Sequence, residues 1–143
     1  TFDTNVRGLL FSVQKALPLM SAGGAIILNA STAATMGAAA FSVYSASKAA
    51  VRSFARCWTL DLKGKGIRVN AVSPGVVPTP GYDRLGLTSE QVQGFIGAQL
   101  QTIPLGRVGE TDDVAKAVVF LASDDASFIT GIELFVDGGM AQI

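Results

Sequence analysis

Histidine is missing from the 143 residues, and cysteine occurs once, at Cys57. The first absence removes the commonest zinc ligand and the usual base of serine-hydrolase chemistry. The second excludes an internal disulfide and fits a reducing compartment, so a cytoplasmic location is expected. Excess charge is lacking too. Eleven basic residues balance 11 acidic ones, leaving no net field to attract nucleic acid or an anionic membrane. No apolar run approaches the ~20 residues that span a bilayer. The opening Thr1-Phe-Asp-Thr-Asn5 is not a signal peptide and has no starting Met. What is present, 49% hydrophobic residues and a mean hydropathy of +0.42, describes one globular domain or a large piece of one.

Helical and strand-like patterns alternate along the chain. Val6, Leu9, Leu10, Val13, Leu17 and Met20 recur at three- and four-residue steps, predicting a helix over 2–21. Gly23 and Gly24 end it, and Ala25–Asn29 is a short apolar run suited to a buried parallel strand. A second helix is predicted over 42–63, followed by Gly64, Gly66 and a strand over 67–72. Thr88 and Gln91 form a capping box for a weaker helix near 89–101, loosened by Gly94 and Gly97. Thr111-Asp-Asp113 caps and charges a helix ending near Ser123, and Leu134–Val136 reads as a last strand. Strand and helix in alternation imply parallel crossovers and an α/β layer fold. Three strands make a thin sheet with one bare edge, so further sheet partners are expected to precede Thr1.

Projected at 100° per residue, the 42–63 helix has three faces. Val51, Phe54, Trp58 and Leu62 form an apolar stripe suited to lying on the sheet. Ser45, Arg52, Arg56, Thr59 and Lys63 form a polar one. Ala46, Ala50, Ser53 and Cys57 form a face of small residues, open to intrachain packing or, the favoured reading, to a subunit interface.

Tyr44 and Lys48 lie one helical turn apart and project from one face. Such a pair suits reversible carbonyl reduction. Hydride arriving at a carbonyl carbon leaves charge on oxygen, which must receive a proton. A phenol can supply it, but its unperturbed pKa of ~10 is high for cycling near neutrality. A nearby ammonium favours the phenolate, and Ser31 could hold the substrate oxygen. Alone, Tyr-x-x-x-Lys is a weak signal, since such residues on a helix usually only pack and solvate. Position strengthens it. Ser31 lies just past one predicted parallel strand and Pro74-Gly75 just past the next, at the strand ends where α/β sheets bind ligands.

The stretch Ile26–Lys48, with serine 13 positions before tyrosine, resembles the active-site segment of the short-chain dehydrogenases/reductases. Asn5–Gly8 is similar to the family's Asn-containing helix motif, Ile67–Gly75 to its strand-and-loop motif, and Pro104–Gly139 to its C-terminal segment. The resemblance covers essentially the whole chain, at the place of the C-terminal half of a Rossmann-like, doubly wound parallel sheet. It implies Tyr44 as general acid/base and as a cofactor contact, and Lys48 as the group that depresses its pKa and binds the nicotinamide ribose. Ser31 would orient the substrate carbonyl or hydroxyl, and Asn5 would anchor a water in the proton relay. Thr32 could offer its hydroxyl instead of Ser31, but the spacing to Tyr44 favours Ser31. Asn29 reads as structural, its side chain tying down the strand end. Pro74, Gly75, Val77 and Thr79 match the loop bordering the nicotinamide. Segment 80–103 corresponds to the family's substrate-covering region, with Leu85, Leu87, Val92, Phe95 and Ile96 as pocket lining or as ordinary core.

The family's glycine-rich phosphate turn and the residue that separates NAD from NADP have no counterpart in this sequence. Gly64-Lys-Gly66 stands between a helix and a strand, the wrong order for a dinucleotide loop. Two expectations follow. One is part of an NAD- or NADP-dependent oxidoreductase acting on a small carbonyl or secondary alcohol, forming a homodimer or homotetramer through the 2–21 and 42–63 helices. The other is a non-catalytic helix-packing module that assembles with full-length subunits.

Overall fold

The computed structural model describes residues 1–82, 86 and 88–143. Three parallel strands run β1 (Ala25–Asn29), β2 (Arg68–Pro74) and β3 (Glu133–Val136), side by side in that order. The register runs from Ala25 opposite Arg68 to Asn29 opposite Val72, then from Ala71 opposite Glu133 to Pro74 opposite Val136. Period-two alternation then assigns the faces. Ile26, Leu28, Val69 and Ala71 meet α2 (Ser42–Asp61) through Val51, Ala55, Phe54 and Trp58. Ile27, Val72 and Leu134 meet α4 (Thr111–Ala122) through Val114, Val118 and Leu121. With helices on both faces, central β2 has no solvent side, which is why it reads as a nearly unbroken buried run. No described helix is long and apolar enough to cross a membrane.

β2 runs to Pro74, further than the predicted end at Val72, because Ser73 and Pro74 still pair with β3. The first predicted helix is divided. Asp3–Gly8 is a π-helical turn, Leu9–Ala16 is α1, and Leu17–Leu19 closes as a 3₁₀ turn carrying Pro18. A Cβ on Gly8 would lie 3.1 Å from the Asp3 carbonyl oxygen, so glycine permits the tight approach. On α2 the buried line is Ser47, Val51 and Ala55 rather than the predicted apolar stripe alone. Small residues let the helix lie close to β2, while Phe54 and Trp58 stack with centroids 4.6 Å apart at its margin. The predicted polar stripe is partly turned inward. Thr59 Oγ1 donates to the Ala55 and Val69 carbonyls at 2.9 and 3.1 Å, and Arg52 forms an ion pair with Glu133.

α3 (Ser89–Leu100) carries the predicted capping box. Gln91 N–H donates to Thr88 Oγ1, and Thr88 N–H to Gln91 Oε1. The start of α4 corrects the sequence expectation: its N-cap is Glu110, not a residue within 111–113. Asp113 accepts the Glu110 N–H at 2.8 Å and a two-pronged bond from Arg107 at 2.7 and 3.0 Å. The Arg107 bond, then the Glu110 N–H, holds the Asp113 carboxyl well below the usual carboxylate range. A pKa depressed by folding contributes stability above the unfolded value, lost as pH falls through the folded one. Asp113→Asn is therefore expected to lower the thermal midpoint at neutral pH. Its deficit against the parent should shrink below about pH 4. A deficit of equal size at all pH values would show that the charge is irrelevant.

Candidate active site

The chemistry-bearing residues come from three elements that end at the same edge of the sheet. β1 delivers Asn29, Ala30 and Ser31; α2 delivers Tyr44 and Lys48 from its first turns; β2 delivers Pro74 and Gly75, with Val77 and Thr79 following. They converge. Ser31, Tyr44, Lys48, Pro74, Gly75, Val77 and Thr79 line one cavity of about 370 Å³. A larger hollow of about 780 Å³ follows β3, and of the predicted site residues none lines it.

Lys48 Nζ stands 5.7 Å from the Tyr44 ring centroid and donates to the Asn29 carbonyl at 2.8 Å. Burial lowers the Lys48 pKa from its ordinary value. Asn29 thus does tie down structure, but through its backbone oxygen and not, as expected, its side chain. Tyr44 is 36% exposed, and its ring meets Phe41 edge-on at 6.0 Å. Ser31 Oγ accepts the Ala33 N–H at 3.2 Å, which leaves its own O–H free to donate into the cavity. Thr32 does not line the cavity; its hydroxyl donates to the Pro74 carbonyl at 3.4 Å. That bond joins the turn after β1 to the end of β2.

Asn5 is not among the cavity residues. Its side-chain amide donates to Ser47 Oγ at 3.0 Å, and Ser47 in turn donates to the Tyr44 carbonyl at 2.7 Å. It therefore braces the turn of α2 that carries Tyr44. The π-helical turn around Asn5 is a device often found at functional sites.

Tyr82 was not singled out in the sequence, yet it lines the cavity. Burial, and then the charge of the Tyr44 phenolate, raises its pKa. Its ring tilts against Phe95 of α3 at 6.4 Å. The only available signal was an aromatic residue eight positions past Pro74, in a loop otherwise rich in Gly and Pro. Thr111 and Val114 of α4 complete the wall. Of the anticipated apolar lining, Ile96 packs beside Val76, Ile103 and Met140 in a separate core cluster, and Phe95 stands behind Tyr82. Val92 is half-buried on α3 but does not line the cavity, while Leu85 and Leu87 lie outside the described residues.

The donor set suits the nicotinamide–ribose end of a dinucleotide: an ammonium for sugar hydroxyls and a Pro-Gly turn open to a flat ring. The volume is near the lower end of the about 300–1,000 Å³ usual for ligand pockets. Comparison with known proteins bears on the family. A family model described as Enoyl-(Acyl carrier protein) reductase matches residues 1–141. The chain is 44% identical to Oxidoreductase asL5 of Sarocladium schorii, over 99% of its own length and 56% of that protein. It is 39% identical to L-rhamnose 1-dehydrogenase (NAD(P)(+)) of Azotobacter vinelandii, over 98% of its length and 54% of that protein. A solved short-chain dehydrogenase/reductase from Brucella melitensis, titled glucose/ribitol dehydrogenase, superposes with a TM-score of 0.87 at 35% identity. That match covers 98% of this chain and 54% of the other. The chain thus spans about half the length of the relatives it matches. Its strand order, its converging serine, tyrosine and lysine, and a family match along nearly its full length place it in the short-chain dehydrogenase/reductase family.

Proposed function

We propose that this chain is the C-terminal, proton-transferring half of an NAD- or NADP-dependent oxidoreductase that interconverts a carbonyl and a secondary alcohol. The observation that carries this reading is the single cavity shared by Ser31, Tyr44, Lys48 and the Pro74–Thr79 loop. A bound reduced nicotinamide supplies the hydride. Ser31 O–H donates to the substrate oxygen and fixes its position. Tyr44 O–H gives that oxygen its proton, and the Lys48 ammonium stabilises the charge left on the phenolate. Lys48 also has donors to spare for the ribose hydroxyls. Pro74, Gly75, Val77 and Thr79 border the nicotinamide. Asn5, through Ser47 and the start of α2, serves the proton relay, and 80–103 covers the substrate.

Two substrate classes fit. A relative named 3-oxoacyl-[acyl-carrier-protein] reductase FabG, from Thermotoga maritima and 35% identical, favours a 3-oxoacyl thioester, whereas the rhamnose relative favours a sugar or simple alcohol. Because the cavity suits only the nicotinamide end of the coenzyme, the 143-residue chain is expected to turn over poorly or not at all by itself. The second reading, a helix-packing module, draws on exposed apolar side chains: Leu10 and Phe11 on α1, Val43 and Leu60 on α2. The same surface would serve a homodimer or homotetramer. Reading the coding sequence upstream of Thr1 separates the two. A glycine-rich strand–turn–helix there supports the oxidoreductase, and a start codon at this point supports the module.

Lys48→Met gives a second test. Loss of the ammonium is expected to lower the reduction rate about 100-fold in a form carrying the whole coenzyme site. Stability should respond through two opposed effects. A lysine pKa lowered by burial means that the unfolded chain holds the proton more tightly, so the charge costs stability near neutral pH. That cost fades as pH rises from the folded toward the unfolded value. Against it stands the bond to the Asn29 carbonyl, which Met cannot make. The thermal midpoint of Lys48→Met relative to the parent should therefore be higher at pH 7 than in alkali. The opposite trend would overturn the reading of Lys48 as a charge that burial disfavours.

A further inference from the structure

Arg52 stands two turns beyond Tyr44 and one beyond Lys48, on the same side of α2. Its Nε donates to Glu133 Oε2 at 3.0 Å, and Glu133 Oε1 accepts the Ser73 hydroxyl at 2.6 Å. The pair is largely withdrawn from water, with side chains 18% and 12% exposed, and Ser73 is fully buried. Ser73 is the residue immediately before Pro74. One continuous chain of charge-assisted bonds therefore joins the helix of the acid/base pair to the strand that launches the cofactor loop.

We propose that Arg52 is a positioning residue: through Glu133 and Ser73 it holds the Tyr44–Lys48 helix in fixed register with the Pro74–Gly75 loop. This deepens the oxidoreductase reading and rests on it. Three observations support it. First, the described tethers of α2 go to different elements. Ser47 is held by Asn5 and Lys48 by Asn29, so among the described side-chain bonds from the active-site turns only that of Arg52 leads, through Glu133 of β3, to the end of β2. Second, Glu133 and Ser73 lie diagonally on adjacent strands, on the α2 face, so the carboxylate bridges them without distorting the register. Third, the arrangement is poor as a pure stabiliser. Arg52 Nη1 is buried with no hydrogen-bond partner among the described residues, and an apolar pair would fill this space without that defect. A planar guanidinium on a carboxylate instead supplies a fixed distance and orientation.

The test uses the parent, Arg52→Met, and the double variant Arg52→Met/Glu133→Leu. The single variant leaves a buried carboxylate without its partner and is expected to melt early; the double variant removes both charges, leaves only the Ser73 hydroxyl without its acceptor, and should recover most of the lost thermal midpoint. In a form carrying the whole coenzyme site, the stable double variant should lose about 100-fold in kcat, with KM within a few-fold of the parent. In the 143-residue chain, its amide hydrogen exchange should be faster at Gly75 and at 44–48 but unchanged in the core of α4. Full kcat in the double variant, or unchanged exchange at those positions, would overturn the proposal. If the parent reduces no carbonyl, the oxidoreductase reading fails, and the exchange measurement still decides whether Arg52 sets the register.

Discussion

Replacing Tyr44 with Phe is expected to reduce carbonyl turnover by about 100- to 10,000-fold, the range for losing a positioned general acid. The fold should not notice. The phenol is at the surface of the cavity, and the ring's aromatic neighbour, Phe41, is a contact that Phe keeps. The Tyr44 main chain is braced independently, because its carbonyl accepts from Ser47, which is itself held by Asn5. The stability change should therefore fall within about 0.5 kcal/mol. Nicotinamide binding should also persist, since the loop and Lys48 are untouched. The measurement is coenzyme oxidation with a carbonyl substrate, in a form that carries the whole coenzyme site, set beside a melting curve. Unchanged turnover would remove Tyr44 from the mechanism. Tyr82, the second phenol in the cavity, would then be the group to examine, because it lines the same space as Tyr44.

What could be read in advance follows the range of each interaction. Strands β1 to β3 and helices α2 to α4 were legible because their apolar periods are local, and the turn chemistry bounding them lies within a few residues. The choice of Ser31 over Thr32 came from the spacing to Tyr44 in the family motif. The structure adds a bond that no motif shows: the Thr32 hydroxyl donates to the Pro74 carbonyl, 42 residues away in sequence. Interactions of that kind are invisible to a periodic pattern. Arg52 looked like part of a solvated stripe because Glu133 stands 81 residues downstream, on a strand whose register was unknown. Thr59 was misjudged for the same reason, its partners being Val69 and Thr130. The π-helical turn at Asp3–Gly8 escaped because a helical period survives one widened turn. Tyr82 escaped because loop residues carry no period at all.

Gly75 shows how much a short motif can leave unsaid, and Gly75→Ala should have the second largest effect. The sequence marks Pro74-Gly75 as a stop after a strand; it does not show why the second residue has no side chain. A Cβ there would lie 2.8 Å from Asp137 Cβ and 2.9 Å from Asp137 Cα, distances that real Cβ atoms essentially never show. Asp137 cannot easily yield. Its carboxylate accepts the Gly139 and Ala141 N–H groups at 2.9 and 2.8 Å, and the Gly75 N–H is bonded to the Val136 carbonyl at 3.0 Å. The turn after β3 is thus locked on itself, and the displacement must fall on the Pro74–Thr79 loop, the wall assigned to the nicotinamide. Overpacking of this kind costs about 1–3 kcal/mol, enough to lower the thermal midpoint visibly without unfolding the chain. A shift of the order of an ångström at the reacting groups costs about 100-fold in rate. Gly75→Ala should therefore weaken coenzyme binding and slow turnover together, unlike Tyr44→Phe, which should spare binding. Normal coenzyme affinity in Gly75→Ala would mean that this loop does not border the nicotinamide, and the proposed orientation of the coenzyme would have to be abandoned.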